Sequence, residues 1–175
     1  IAPLRWNPVP LPDEQLSVNF WQGIYSMTTA GDVNQQQGMS AQVYTANQSM
    51  NQEFLINADA EMMIIPQLGA LDIVTEMGKL VVDIGEIAVI PRGVLFKVDF
   101  QASQVRGYIC ENYGVPFTLP ERGPIGANAL ANPRDFLYPC AAFEDVETPH
   151  EIYTRWGGKL YHTQIPHSPL DVVAW

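Results

Sequence analysis

The segment Gly85–Gly93, GEIAVIPRG, has the spacing G-x5-P-x-G. It joins two strand-like runs, EIAVIP and VLFKVDF, through turn residues, which predicts a strand, a turn and a return strand. Just before it, Asp83 and Gly85 have the residue types of a second turn, which places a corner at each end of the short apolar run. The segment therefore predicts β-structure, and the rest of the chain can be read outward from it.

Nine short runs of strand-forming residues include this segment and flank it on both sides. They are rich in Val, Ile, Phe and Tyr, and turn residues separate them at short intervals. TEMGKLVV predicts a hairpin in which Gly78 supplies a positive φ at the tip. Many short antiparallel strands at this spacing indicate a sandwich or a barrel, for which the jelly roll is the common solution. We therefore expect an all-β jelly roll or β-sandwich with extended arms and little helix. The runs are VNFWQGIYSM, SAQVYTAN, QEFLI, EMMIIP, ALDIVTE, KLVVD, EIAVIP, VLFKVDF and VRGYICENY.

The G-x5-P-x-G spacing resembles the second sequence motif of the cupin family. In metal-binding cupins a histidine follows the last glycine after two residues, and here that position is Phe96. The first cupin motif can also be traced, because Glu61 precedes Gly69 with one residue more than the usual spacing. Counting back from Glu61 to the paired histidines of that motif reaches Leu55 and Asn57, or Phe54 and Ile56 if the longer spacer between the histidines and Glu61 is used. The asparagine that ends the second motif is replaced by Phe100.

These substitutions bear on metal binding. A metal that activates dioxygen needs about three nitrogen or oxygen side chains converging on one face. Phe and Leu offer no lone pair. The resemblance therefore implies a cupin-like barrel whose interior is packed and metal-free.

Charge and length exclude several classes of function. Nineteen acidic against nine basic residues give a formal net charge of −10, which disfavours nucleic acid and anionic membranes as partners. No apolar run approaches the roughly 20 residues that span a bilayer. The two cysteines, Cys110 in a predicted buried strand and Cys140, are interpreted as free thiols of a cytoplasmic protein.

The chain is expected to have three segments. Residues 1–16 carry four prolines and predict an extended arm. Residues 17–119 form the metal-free β core. Residues 120–175 leave that core as loop and strand and extend toward a following domain. Both ends of the sequence have the character of cut ends, since LDVVAW reads as a strand that continues.

The three histidines make weak candidates for a site. His150 lies in an acidic stretch, EDVETPHE, and is interpreted as a surface histidine of a solvated loop. His162 and His167 are five positions apart across a proline, which places them on opposite faces of a strand and gives poor ligand geometry. They are interpreted as hydrogen-bonded or surface histidines.

The stretch 123–136, GPIGANALANPRDF, fits neither the strand nor the helix period. Long irregular loops in compact domains are usually functional or tied down. The adjacent Arg134 and Asp135 allow two interpretations, a clamp for a substrate carboxylate or, as we favour, a pair that pins the loop.

At this loop the sequence resembles the homogentisate 1,2-dioxygenase family. The resemblance covers nearly the whole chain in the same order. It includes LRWNP, AGD at 30–32, NADAEMMIIPQLGALDIVTEMGKL, EIAVIPRGVLFKVD, RGYICENYGVPFTLPERGPIGAN, GGKL and SPLDVVAW.

This resemblance implies a subunit with two parts. The N-terminal part is a metal-free β-sandwich of cupin type, and the C-terminal part holds Fe(II) through two histidines and a glutamate. The full enzyme would convert homogentisate and O2 to maleylacetoacetate as a homo-oligomer, a trimer or a hexamer. None of the three histidines lies in the ligand motif of the family, so no iron ligand, catalytic residue or cofactor is expected in this chain.

The loop then has a predicted role as a structural tie to the catalytic part or to a neighbouring subunit. Its candidate residues are Gly123, Gly126, Asn128, Arg134 and Asp135, of which the glycines allow close backbone approach. Two alternatives stay open. One is a stand-alone, metal-free cupin-like binding or structural module. The other is a small cupin isomerase or dioxygenase that works with the residues present here.

Overall fold

A computed structural model describes residues 7–123 and 130–171 as two β-sheets that enclose an apolar core. The eleven strands are β1 (Ile24–Asp32), β2 (Gln37–Ala46), β3 (Glu53–Asn57), β4 (Glu61–Leu68), β5 (Leu71–Thr75), β6 (Gly78–Val82), β7 (Ala88–Ile90), β8 (Leu95–Asp99), β9 (Val105–Asn112), β10 (His150–Trp156) and β11 (Lys159–Ile165). Helix in the described residues is limited to 3₁₀ turns at Val33–Gln35 and Pro133–Asp135. None of these helical segments is long and apolar enough to cross a membrane.

The strands β2 to β9 form a jelly roll. Sheet 1 has the order β1-β2-β9-β4-β7, and sheet 2 has the order β11-β10-β3-β8-β5-β6. Strand β2 pairs antiparallel with β9, β3 with β8, β4 with β7, and β5 with β6. These nested pairs are one long hairpin wound around the core, which is the jelly-roll topology. The predicted all-β fold with little helix is confirmed.

Three further strands widen this barrel. Strand β1 extends sheet 1 beyond β2. Strand β10 lies parallel to β3, in the register Glu151↔Glu53 to Arg155↔Asn57, and β11 pairs with β10 at the edge of sheet 2. The segment that follows the jelly roll along the chain therefore returns to it and adds two strands.

The main core lies between the two sheets. It contains fully buried aromatic and aliphatic side chains, among them Phe20, Tyr44, Leu55, Ile73 and Phe96. A second, smaller cluster of Phe54, Val74, Leu95 and Leu170 lies on the other face of sheet 2, because successive strand residues point to opposite faces. Leu170, from the segment after β11, packs in that cluster, and its carbonyl oxygen accepts from Glu144 N at 2.9 Å.

Local turn chemistry accounts for the predicted hairpin at Gly78 and for the predicted turn in the G-x5-P-x-G segment. Gly78 has φ +127°, and a Cβ there would lie 2.2 Å from the Cys140 carbonyl oxygen, so only glycine fits. In the G-x5-P-x-G segment, β7 ends before Pro91, Val94 N donates to Pro91 O at 3.2 Å, and β8 returns. The strand, turn and return strand predicted for this segment are confirmed.

The first predicted strand starts later than expected. The run VNFWQGIYSM begins at Val18, whereas β1 begins at Ile24. Asn19 and Gln22 explain the difference: each side-chain oxygen accepts from the other's backbone N–H, at 3.2 and 3.3 Å, which closes a turn. Side-chain hydrogen bonds of this kind compete with strand pairing.

Candidate functional site

Two features of the sheets locate the ligand positions of the first cupin motif, a bulge in β4 and the direction in which the β3 side chains face. The pairing of β4 with β9 shifts register between Pro66 and Leu68, so Gln67 is an extra residue in the strand. This explains why Glu61 and Gly69 are one residue further apart than the motif requires. The facing of β3 separately places the histidine pair at Leu55 and Asn57. Leu55 packs in the core between the sheets and Asn57 donates to the buried Glu111, whereas Phe54 and Ile56 belong to the second cluster on the other face of sheet 2.

The interior at these positions is packed with hydrocarbon. Leu55 and Phe96 are opposite each other in the β3–β8 pair, and neither is more than 1% exposed. The Phe96 ring packs edge-on against Phe20 with centroids 6.4 Å apart, and Phe20 packs on Tyr44 at 4.9 Å. Leu55 and Phe96, which have no lone pairs, fill two of the three positions from which cupin histidines would bind a metal, and the Asn57 amide at the third is hydrogen-bonded to Glu111. The residues present here therefore do not fit Fe(II).

Glu61 has a structural contact. Its Oε1 accepts the backbone N–H of Arg92 at 3.0 Å, and the Arg92 side chain donates to the carbonyls of Tyr113 and Gly114 at 2.6 and 3.1 Å. These bonds fix the turn between β7 and β8 against the end of β9. In the described residues, no group of three or more His, Cys, Asp or Glu side chains is arranged to hold a metal ion.

A polar cluster lies inside the same barrel. We call it the Glu111 cluster. Glu111 is fully buried, accepts from Asn57 at 2.8 Å and Gln42 at 2.9 Å, and also accepts from Ser40 at 3.1 Å. Both terminal nitrogens of Arg155 donate to the same carboxylate. Its members are Ser40, Gln42, Asn57, Glu111 and Arg155.

This cluster joins the two sheets. Glu111 belongs to β9 in sheet 1, whereas Asn57 and Arg155 belong to β3 and β10 in sheet 2. A buried carboxylate is tolerated only when it is paired and hydrogen-bonded, and Glu111 has both kinds of partner. Because Arg155 is supplied by β10, the ion pair also fixes the added strands to the jelly roll.

The sequence interpretation missed the Glu111 cluster. The only signal was a single carboxylate in the strand-like run GYICENY, and its cationic partner lies 44 positions away. Nothing local connects these two residues. Only the parallel register of β10 on β3 brings them together.

Asp59 holds the turn between β10 and β11. Its two carboxylate oxygens accept the backbone N–H groups of Gly157 at 2.6 Å and Gly158 at 2.9 Å. Both glycines have positive φ, +59° and +71°, as a two-residue hairpin turn of the favoured hand requires. The GGKL segment therefore has a structural reason for its glycine pair.

The three histidines lie apart. The expectation for His150 was wrong: it is 4% exposed, begins β10, packs 5.9 Å from the Phe54 ring, and its Nδ1 lies 2.7 Å from the Thr148 carbonyl oxygen. The pairing of β10 with β3 takes it out of the acidic loop in which the sequence placed it. His162 is half exposed and contacts Glu151. His167 Nδ1 is 3.0 Å from Asp171 Oδ2.

An aromatic stack continues from the Glu111 cluster along β10. The Tyr153 ring lies between Trp21, at 4.5 Å, and His162, at 4.9 Å. The Trp21 indole N–H donates to Glu53 Oε2 at 2.8 Å. Burial, followed by the nearby Glu53 and Glu151 carboxylates, raises the pKa of the Tyr153 hydroxyl, since all three disfavour a phenolate.

The predicted loop residues are only partly within the described structure. Gly126 and Asn128 lie outside the described residues. Gly123 N donates to Ala131 O at 3.2 Å, and a Cβ on Gly123 would lie 2.7 Å from Leu130 Cδ1, so the two ends of the loop meet closely. This close approach requires glycine or a shift of Leu130.

Arg134 and Asp135 lie in an exposed 3₁₀ turn. Arg134 Nε is 3.9 Å from Asp135 Oδ1, with the two side chains 82% and 67% exposed. The Asn132 side chain accepts from Arg134 N at 3.2 Å and caps the turn. A different arginine, Arg122, packs on Phe136 and Tyr138 with its guanidinium carbon 5.8 and 5.9 Å from the two rings. Sequence reasoning named neither Asn132 nor Arg122.

The chain is similar to known proteins along its whole length. The family model described as homogentisate 1,2-dioxygenase N-terminal matches residues 1–175. A protein of Rhodopseudomonas palustris strain TIE-1 named homogentisate 1,2-dioxygenase is 59% identical over 175 residues, which are 100% of this chain and 39% of that protein. Proteins of the same name from Bradyrhizobium diazoefficiens and Rhizobium etli are 57% and 55% identical, with the same two coverages. The chain thus spans 39% of the length of these curated relatives.

The solved structures that match part of this chain are more distant from it in sequence. A cupin-2 domain containing protein from Shewanella frigidimarina matches 51% of this chain and 78% of its own, with a TM-score of 0.42 and 19% identity. Protein NMB1881 from Neisseria meningitidis matches 53% of this chain and 84% of its own, with a TM-score of 0.42 and 13% identity.

Proposed function

The chain belongs to the homogentisate 1,2-dioxygenase N-terminal family, and from this membership we propose that it is the scaffold region of an Fe(II)-dependent ring-cleaving dioxygenase. The complete polypeptide would take homogentisate and O2 to maleylacetoacetate. The observation that carries the proposal is the identity of 59% over the whole chain with a relative of that name. Since the chain spans only 39% of that relative, the reaction is proposed for the longer protein.

The packed barrel interior supports a division of labour within that protein. Leu55 and Phe96 occupy two of the positions where a cupin would place metal-binding histidines. Iron, when bound, would supply the site where both substrates meet, and it would be held by side chains outside this chain. The residues described here contribute a rigid double sheet, cross-linked by the Glu111 cluster.

A comparison of two polypeptides tests this proposal. Oxygen uptake with homogentisate and iron content are measured for the 175-residue chain and for the longer protein that contains it. We expect ring opening and stoichiometric iron in the longer protein only. Turnover by the 175-residue chain without help, or tightly bound iron within it, would contradict the scaffold assignment.

The partners we propose follow from the same membership and from charge. The complete enzyme would be a cytoplasmic homo-oligomer, a trimer or a hexamer, with homogentisate and O2 as its small-molecule partners. The net charge of −10 argues against nucleic acid and anionic membrane surfaces. Light scattering of the longer protein measures the oligomeric state directly, and a monomer would contradict the proposal.

We further propose that the 123–136 loop ties the barrel to the catalytic part or to a neighbouring subunit. Its ends are closed by the Gly123–Ala131 hydrogen bond, and Arg134 and Asp135 are exposed and therefore accessible to a partner surface. Gly126 and Asn128 belong to the same proposal on sequence alone.

Replacing one exposed loop side chain tests the tie. In the longer protein, Arg134→Ala should lower the fraction of assembled oligomer or its melting temperature while the iron content per subunit stays unchanged. Lys79→Ala, which removes an exposed positive charge from β6 outside the loop, is the control. A loss of iron with the oligomer intact would contradict the proposed tie.

A further inference from the structure

Sheet 1 has an apolar patch on the face that points away from the core. In β9, Ile109 and Glu111 point into the barrel, so the alternating residues Tyr108 and Cys110 point outward. Residues directly opposite each other on neighbouring strands share a face of the sheet. This rule defines what we call the outer patch of sheet 1, which consists of Ala41 and Val43 from β2, Met63 and Ile65 from β4, Val89 from β7, and Tyr108 and Cys110 from β9.

The composition of the outer patch is that of a covered surface. Its seven side chains include no Asp, Glu, Lys or Arg, although the whole chain carries a net charge of −10. Among the described residues, these side chains belong to neither core cluster, and Tyr108 is exposed. An antiparallel sheet with one face in water alternates apolar with polar side chains, whereas strands that are apolar on both faces are typical of a sheet covered on both sides. The patch is therefore expected to have a partner.

The outward face of sheet 2 shows how this chain treats a similar surface. Phe54, Val74 and Leu95 form an apolar cluster there, and Leu170 completes it from the segment after β11. The jelly-roll strands thus leave an apolar surface open, and a residue that comes much later in the same polypeptide packs on it. For the outer patch of sheet 1, the described residues contain no such later segment in either core cluster.

The area of the outer patch decides what kind of partner suits it. Four strands about 4.8 Å apart and two rows each about 6.8 Å wide along the strands cover about 250 Å². The next outward residue of β9 is Arg106, whose Nε donates to Gln67 at 3.0 Å, so the apolar surface ends there. A stable contact between separate proteins buries about 800 Å² on each partner. The patch is too small to hold a second copy by itself.

A tethered partner needs much less area, because a linked segment is present at an effective concentration of about millimolar. The chain is 39% of the length of its curated relatives, which leaves most of such a polypeptide outside it. We propose that an uncharged, apolar surface from that remaining part of the same polypeptide packs on the outer patch of sheet 1. This inference rests on the proposed function only in requiring the longer protein, and the patch is separate from the 123–136 loop.

Photo-cross-linking of the longer protein identifies the partner. The photoreactive residue p-benzoylphenylalanine in place of Tyr108 puts a reactive ring in the patch without adding a charge. Irradiation should join position 108 to a peptide outside residues 1–175, and the product should keep the mass of one polypeptide in a denaturing gel. A product of twice that mass, which a second copy would give, overturns the inference, as does a cross-link within residues 1–175 or none at all.

Two methionines give a second measurement that needs no substitution. Met39 is the next outward residue of β2 beyond Ala41, and Met77 lies in the turn between β5 and β6; their exposed fractions match, at 49% and 50%. In the longer protein, Met39 should lose most of its reactivity toward peroxide while Met77 keeps it. Equal oxidation of both would overturn the inference. A cross-link of the expected kind in a longer protein that does not open homogentisate would support the packing and contradict only the proposed function.

Discussion

The interior of this barrel is stabilised in two different ways at neighbouring places. Around Phe96 it is hydrocarbon contributed by the jelly-roll strands and the segment before them, while around Glu111 it is a buried ion pair whose cation comes from β10. The first arrangement depends on apolar surface removed from water, and the second on pairing a charge that water can no longer solvate. Two positions suited to metal ligands, Leu55 and Phe96, have been filled by apolar packing, whereas the buried charge serves to join the sheets.

The largest expected change in stability is in the apolar core around Phe96. Phe96→Ala should reduce the free energy of unfolding by about 3–5 kcal/mol, because it removes a fully buried ring and leaves a cavity between the sheets. Urea unfolding followed by circular dichroism measures the change. Phe143→Ala, at a ring that is 57% exposed, is the control and should change stability by less than about 0.5 kcal/mol. A loss below about 1 kcal/mol at Phe96 would show that the interior is not tightly packed there.

A smaller change in stability is expected at the Glu111–Arg155 ion pair. Glu111→Gln should reduce the free energy of unfolding by about 2 kcal/mol, since Arg155 loses its counter-charge; the figure is below that for a fully buried pair because the Arg155 side chain is 27% exposed. The same urea titration measures it, with the exposed Glu121→Gln as control. Replacing both partners, Glu111→Gln with Arg155→Met, should cost less than the sum of the single changes. Strict additivity would argue against a direct pair.

The smallest effect at neutral pH is expected for the hydroxyl of Tyr44, which has no hydrogen-bond partner among the described residues. Tyr44→Phe should leave stability at pH 7 unchanged or raise it by up to about 1 kcal/mol, because it breaks no bond and removes a buried hydroxyl that has no partner among the described residues. Burial raises the pKa of Tyr44 above its ordinary value. The unfolded chain therefore loses this proton first, and stability present at neutral pH falls as the pH rises above about 10.

Removing the Tyr44 hydroxyl should thus flatten the alkaline decline. Urea midpoints of the wild-type chain and of Tyr44→Phe, measured at neutral pH and above about pH 10, give the comparison. A weaker decline should persist in the variant, since burial and two carboxylates also raise the pKa of Tyr153. An identical pH profile for both proteins would contradict the assignment to Tyr44.

Much of the jelly roll could be predicted from local sequence. Turn residues such as Gly78 and the G-x5-P-x-G segment mark the corners, and the runs between them have strand-forming composition. The sequence also identified Leu55, Asn57 and Phe96 at ligand positions, although it could not choose between two spacings at the first motif. The facing of β3 made that choice, since Leu55 and Asn57 lie toward the barrel interior while Phe54 and Ile56 pack on the other face of sheet 2.

Two of the features that escaped prediction depend on β10. Its parallel register on β3 buries His150, which the acidic flank had suggested was exposed, and it brings Arg155 to Glu111. Parallel neighbours far apart in sequence leave no local pattern, because each strand by itself has the composition of any half-buried strand.

The contact between Asp59 and Gly158 joins positions 99 residues apart. During synthesis at roughly 5–20 residues per second, the outer edge of β3 would have no β10 to pair with for about 5–20 s after it leaves the ribosome. An open strand edge is a template for pairing with another nascent chain. Growing chains that stall or end before β10 should therefore be the ones that aggregate or recruit chaperones.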